Sequence, residues 1–149
     1  MVSLPVSLFQ FLLNDVKFLN GSISLLHWVW RCFIGIGCIL AELYQGELLF
    51  ATHDNIEHLA LIQQVVGPFP RRMLKRAKNS QLINEAFDRT GSHRMDGVLP
   101  PESLAYVKRI RRLESVIYEE DTWFLRLLRR ILVTDPLDRA TARECLSKF

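Results

Sequence analysis

The sequence predicts a mainly α-helical fold, and three stretches carry that prediction. Ile36–Tyr44 is apolar nearly all round, with Glu42 its only charge, the pattern of a helix inside a larger domain or a membrane. Asp54 opens an amphipathic helix with Ile56, Leu59, Ala60, Leu61, Ile62, Val65 and Val66 on its apolar side. Trp123, Phe124, Leu127, Leu128, Ile131 and Leu132 recur at three- and four-residue spacing, an inward stripe on a helix over about Thr122–Val133.

Taken in order, residues 1–34 show no clear period. Apolar runs at Leu4–Leu13 and Ile23–Trp30 are broken by Asn14-Asp15 and Asn20-Gly21. Ile23–Leu40 has about the length that spans a bilayer. It contains His27 and Arg31, however, and a charge near the centre costs about 2.5–3.5 kcal/mol. A soluble helix feeding into the Ile36 helix is therefore the expectation. Gly46 stands where a left-handed residue would end that helix. The Asp54 side chain is placed to accept the residue 57 amide, and Glu57 to reach back to the residue 54 amide, a capping box at the positive end of the helix dipole. Gly67-Pro68 closes the helix.

Pro68–Arg112 reads as a connecting region with loop signals at Pro70, Gly91, Gly97 and Pro100-Pro101. Arg71, Arg72, Lys75, Arg76 and Lys78 make a short basic helix start. That run reads as a solvated face or as a contact for an acidic or phosphorylated protein. Arg109, Arg111 and Arg112 lead to Glu119-Glu120-Asp121, whose charges favour a helix start at Thr122. Arg126, Arg129 and Arg130 take the outer side of that helix. Asp135 can cap a turn with Pro136 at its first position, and Thr141 with Glu144 forms a capping box toward Leu146.

The 149 residues suit one domain with a respectable core, and 49% hydrophobic with 23% charged residues is a globular composition. Residues 1–70 carry a net charge of −3 and residues 71–149 a net +6. The basic half interleaves its acids and bases, unlike a specific nucleic-acid-binding domain. Cys32, Cys38 and Cys145 make no paired framework, which points to reduced thiols in an intracellular protein. His53 and His58 flank Asp54 and Glu57, but no third ligand has metal-site spacing. Gly35-Ile36-Gly37 lacks a third glycine, since Leu40 occupies its place. His93-Arg94-Met95-Asp96 has an inserted Met before its Asp, and reads as a loop.

Gly37-Cys38-Ile39-Leu40-Ala41-Glu42-Leu43, followed by Gly46-x-x-Leu49-Phe50 and Thr52-His53-Asp54-Asn55-x-Glu57-His58-Leu59-Ala60, resembles the C-terminal lobe of eukaryotic protein kinases. Glu57–Pro68 resembles the segment that names the LAMMER (CDC-like) kinases of the CMGC group, with Leu61, Ile62, Gln63 and Gln64 where Met-Met-Glu-Arg is usual. Asp135-Pro136-x-x-Arg139-x-Thr141-Ala142-x-Glu144 is similar to the last conserved block of protein kinases. The resemblance implies a helical C-lobe over residues 35–149, with a CMGC-type peripheral insert at about 68–112. It also implies structural roles for Gly37, Asp54, Glu57, His58, Leu59, Asp135, Pro136 and Arg139. In the family the counterpart of Arg139 pairs with a Glu of the activation segment. Without that partner it is expected to reach solvent or another acid.

Residues 1–34 do not match the family. Cys32 occupies the place of an Asp that holds the catalytic loop, and Ile34 and Gly35 replace Trp and Ser. The segment reads as an aberrant start, such as a mis-spliced exon, before a truncated lobe. The family phosphorylates Ser, Thr and Tyr of nuclear splicing factors with ATP and Mg²⁺. This chain has none of the Gly-rich loop, Lys–Glu pair, catalytic Asp with its Asn or Asp-Phe-Gly that the reaction needs, nor the β-rich N-lobe. The expectation is thus an inactive, nuclear or cytoplasmic lobe with no catalytic, cofactor or metal residues of its own. A protein-binding module using Arg71–Lys78 and a membrane-associated fragment using Ile23–Leu40 are the alternatives.

Overall fold

The computed structural model describes residues 25–52, 54–77 and 80–147, with side chains from residue 34 onward. Among these residues there are nine α-helices and no strand: α1 (Leu25–Gln45), α2 (Asn55–Val65), α3 (Arg71–Arg76), α4 (Gln81–Ala86), α5 (Met95–Val98), α6 (Pro101–Arg109), α7 (Leu113–Val116), α8 (Thr122–Ile131) and α9 (Ala142–Leu146). A 3₁₀ turn over Glu119–Asp121 precedes α8, and a single antiparallel bridge joins Phe87 to His93. The fold class is the mainly helical one read from the sequence.

Helix α1 begins eleven residues before Ile36, so the expected boundary at 34/35 falls inside it rather than at its start. It ends at Gly46, whose φ of +78° is the left-handed conformation a side chain would oppose. The Gly46 amide closes onto the Glu42 carbonyl at 2.8 Å. Glu42, the one charge of the stretch, accepts the Leu49 amide at 3.2 Å and so fixes the turn that follows. One side of α1 is buried through Gly35, Gly37, Cys38 and Ala41. The other side exposes Ile36, Ile39 and Leu43, so the described residues do not cover the helix all round.

The buried side packs on α8 at close range. A Cβ added at Gly37 would sit 2.7 Å from Ile131 Cγ2 and 2.8 Å from Leu132 Cδ2, closer than van der Waals contact permits. Tyr44 extends the seam, with its ring 5.0 Å from Phe124 and its hydroxyl donating to Asp121 Oδ2 at 2.6 Å. Phe124, Leu128, Ile131 and Leu132 point inward as expected. Trp123 does not. It lies at the rim, 51% exposed, with its ring 5.5 Å from Phe124.

Helix α2 supplies the centre of the core with Leu59, Ala60, Leu61, Ile62 and Val65. It packs against α4 and α6. Residues 68–112 therefore differ from a peripheral connecting region. They hold four helices, α3 to α6, and contribute Phe69, Leu74, Ala86, Phe87 and Val107 to the same core as α1, α2 and α8. Phe69 meets Phe87 edge-on at 5.4 Å, which ties the segment entering α3 to the end of α4. The loop signals mark the short links between these helices.

Among the described residues no helix is long and apolar enough to cross a membrane; the first two residues of the Ile23–Leu40 stretch lie outside them. The α1–α8 seam is open to a direct check. Gly37→Ala should lower stability by about 1–3 kcal/mol in urea unfolding, the usual cost of overpacking. The conserved helix content in circular dichroism would separate that strain from loss of the fold.

Candidate functional site

Two polar centres sit where the sequence motifs lie, one at the start of α2 and one in the turn after α8. At the first, Asp54 is in extended conformation and its Oδ1 accepts the Glu57 amide at 2.7 Å. The expected return bond from Glu57 is replaced: the Asp54 amide donates to Thr52 Oγ1 at 3.2 Å. Half of the capping box thus forms, and a buried threonine completes it. His58 is buried, its ring 5.5 Å from that of Phe50. Burial pushes its pKa down to about 4, so the ring is neutral at pH 7. Leu59, beside it, is buried in the core. His53 lies outside the described residues. Among these residues no group of three His, Cys, Asp or Glu side chains could hold a metal ion.

At the second centre, Asp135 is fully buried. Its Oδ1 accepts the Leu137 amide at 3.0 Å, and its carbonyl accepts the Asp138 amide at 3.1 Å, closing a turn with Pro136 at the second position. The carboxylate is balanced from α3. Arg72 Nε donates to Oδ2 at 2.8 Å and Arg76 Nη2 to Oδ1 at 2.8 Å, while Arg72 also bridges to Asp138. Burial alone would raise the Asp135 pKa, but the Leu137 amide and the two guanidiniums outweigh it and hold the carboxyl below its ordinary value. The basic run is therefore not a uniform solvated face. Arg72 and Arg76 anchor the Asp135 turn, while Arg71 and Lys75 stay exposed. Lys78 lies outside the described residues.

Arg139 neither reaches solvent nor relies on a distant acid alone. It is 6% exposed and donates from Nε to the Val133 carbonyl at 2.8 Å and from Nη2 to the Thr134 carbonyl at 3.3 Å. Thr141 and Glu144 form the full capping box expected of them, with the Glu144 amide 3.2 Å from Thr141 Oγ1 and Glu144 Oε2 2.8 Å from the Thr141 amide. Between this turn and α8 lies a pocket of about 360 Å³ lined by Arg129, Arg130, Arg139, Asp138, Thr141 and Glu144 among others. Arg129 is held by Glu114 at 2.8 Å. The pocket sets guanidiniums beside the carboxylates of Asp138 and Glu144, and Thr141 Oγ1 donates to Glu144 Oε2 at 2.9 Å as part of the capping box.

The remaining candidates take structural places. Gly35 and Gly37 lie inside α1, where Gly37 faces α8, so neither can cradle a phosphate. His93 stacks edge-on to Phe87 at 5.0 Å, and Asp96 is exposed in α5 with Lys108 at 3.4 Å. Cys38 is buried, and that burial first, then the charge of Glu42, pushes its thiol up to about 12, which makes it inert. The structure joins Asp135 to Arg72 and Arg76 across about sixty residues, a pairing with no local sequence signal.

Both centres predict an acid response. Between the unfolded histidine pKa of about 6.5 and the folded value of about 4, the unfolded chain binds the extra proton. Stability should thus fall as pH drops through that window, by up to about 3 kcal/mol, and His58→Asn should flatten the slope in pH-dependent urea titrations. The Asp135 contribution has the opposite origin but the same direction. Its folded pKa lies below the unfolded value near 3.8, so its stabilisation is present above that value and lost below it. Asp135→Asn should cost about 1–2 kcal/mol at pH 7, discounted because both guanidiniums are half exposed, and should flatten the profile below pH 4.

No family model matches the chain. It is 37% identical over 127 residues to the serine/threonine-protein kinase AFC2 of Arabidopsis thaliana, covering 81% of this chain and 29% of that protein. It is 36% identical to the dual specificity protein kinase lkh1 of Schizosaccharomyces pombe, covering 81% of this chain and 18% of that protein. For the dual specificity protein kinase CLK1 of Homo sapiens the figures are 32%, 81% and 25%. A crystal structure of a kinase domain matches the fold with a TM-score of 0.69 and 29% identity, over 79% of this chain and 36% of that one. The chain spans less than a third of the length of these curated relatives. In sequence and in backbone, these residues belong to the LAMMER (CDC-like) family of protein kinases and make up the helical C-terminal lobe of its kinase domain.

Proposed function

We propose that residues 1–149 are the scaffold and substrate-side periphery of a LAMMER-type dual-specificity kinase domain and are catalytically silent by themselves. The observation that carries this reading is the inventory of the sequence. Phosphoryl transfer is almost entirely positioning and electrostatic stabilisation, which needs a glycine-rich cover, a Lys–Glu pair, a catalytic Asp with its Asn, and a metal-binding Asp. None of these stands in the 149 residues. Where the chain is joined to the rest of such a domain, ATP, Mg²⁺ and the reacting groups belong to that other part. This lobe then supplies the floor on which a Ser, Thr or Tyr substrate is held. With nuclear splicing factors as the substrates the resemblance implies, this reading favours the nucleus over the cytoplasm as its compartment.

A protein-contact role is the second reading, favoured by Arg71 and Lys75. They are exposed and hold no carboxylate among the described residues, unlike Arg72 and Arg76 on the same helix. Reversing both charges should remove capture of a phosphorylated Arg/Ser-rich protein while leaving the Asp135 anchor intact.

The main reading is tested with purified residues 1–149, radiolabelled ATP, Mg²⁺ and an Arg/Ser-rich substrate. Label transfer should stay at the level of a no-enzyme control, and calorimetry should register no saturable ATP binding. Transfer above that control that survives repurification would refute silence.

A further inference from the structure

Among the described residues of the C-terminal half, Arg72, Arg76, Lys108 and Arg129 pair with carboxylates. Arg72 and Arg76 hold Asp135, and Arg129 holds Glu114. The run Lys108-Arg109-Ile110-Arg111-Arg112 puts four cations into five residues. Arg109, Arg111 and Arg112 form no ion pair among the described residues, and Arg111 donates only to the Ser115 carbonyl at 3.4 Å. Lys108 lies 3.4 Å from Asp96 with both side chains in water. All four cations are exposed.

The backbone of this run is also unusual for its place. Helix α6 stops at Arg109, and Ile110 and Arg112 are extended, with φ/ψ of −64°/133° and −68°/156°. Ile110 is half-buried and packs on the core, so its neighbours in an extended chain turn outward. The segment is held to its surroundings by few bonds: Gln64 Nε2 donates to the Ile110 carbonyl at 3.3 Å and the Ser115 amide to the Arg112 carbonyl at 2.9 Å. The Ile110 amide is shared between the Tyr106 and Val107 carbonyls at 3.2 and 3.3 Å, at or beyond the long end of a good N–H···O bond. Helix ends of this kind open at little cost.

We propose that Lys108–Arg112 is a nuclear import signal, read by a receptor that takes an extended basic segment in an acidic groove. A short run rich in Lys and Arg has that reading on chemical grounds, since each guanidinium can pair in a fork with a receptor carboxylate. Nucleic acid fits less well. Glu114 and the Glu119-Glu120-Asp121 turn follow within nine residues and would repel a phosphate backbone, whereas a groove addresses five residues alone. The proposal gives a route to the nuclear placement above and rests on it for its biological meaning, but its physical test is separate.

The test uses the full 149-residue chain and a purified nuclear import adaptor, with affinity measured at physiological salt. The wild-type chain should bind, and the triple variant R109A/R111A/R112A should bind about tenfold or more weakly with an unchanged melting temperature. A control variant, R71A/K75A, lowers the charge elsewhere and should bind as the wild type does. Absence of wild-type binding, equal binding by the triple variant, or an equal loss in the control would each overturn the proposal. So would adaptor-independent binding of a single-stranded RNA probe that the triple variant abolishes. A fluorescent fusion in cells separates the two readings. Nuclear accumulation that survives the triple substitution rejects the signal and keeps the compartment. A cytoplasmic fusion whose purified chain still binds the adaptor through the run keeps the signal and rejects the compartment.

Discussion

An ionised carboxylate with no exposure to water has to be balanced, because its solvation is lost and an isolated charge in the interior costs far more than any single contact returns. Asp135 meets that requirement with two guanidiniums and a main-chain amide. Both arginines come from α3, a helix of six residues, too short to be stable in isolation. The pairing thus works in both directions. Asp135 holds α3 on the lobe, and α3 balances the buried carboxylate that opens the Pro136 turn. Because the guanidiniums remain half exposed, they keep part of their hydration while their forks reach inward. That arrangement avoids the full desolvation cost of a buried ion pair.

The same turn sits directly after α8, whose other side meets Gly37. The helix–helix distance at that point is set by the absence of a side chain, so α1 and α8 approach more closely than any other residue at position 37 would permit. Tyr44 and Phe124 continue the seam toward the 3₁₀ turn, where Asp121 accepts the Tyr44 hydroxyl. Position 37, the α8 stripe and the Asp135 turn are thereby one mechanical unit. The opposite side of α1, with Ile36, Ile39 and Leu43 exposed, is an apolar face of the type that associates.

Much of this was legible in the residues. The caps at Asp54 and Thr141, the stop at Gly46 and the stripe of α8 are local patterns, set by backbone donors and helical period within a few positions. What escaped depended on the path of the folded chain rather than on residue pattern. Thr52 displaced Glu57 as the partner of the Asp54 amide, a competition between two nearby oxygens. The split of the basic run into anchoring Arg72 and Arg76 and exposed Arg71 and Lys75 depends on helix facing toward a residue about sixty positions away. Trp123 fitted the inward period but fell at the rim, since the first turn of α8 overhangs the core. Residues 68–112 looked peripheral because prolines and glycines mark the links, while α3, α4 and α6 each bury one side chain, Leu74, Ala86 and Val107.

The strongly perturbed groups point the same way as the missing motifs. Catalytic sites gather perturbed acids and bases around a cavity, with pKa values poised near neutrality. Here burial drives Cys38 up to about 12 and His58 down to about 4, so neither exchanges protons readily at pH 7. Neither lines the pocket beside α8, where three arginines stand with Asp138, Thr141 and Glu144. Asp135 is consumed by its own pairings. Cys38 and His58 lie in the packing of α1 and α2, and Asp135 ties α3 to the turn after α8.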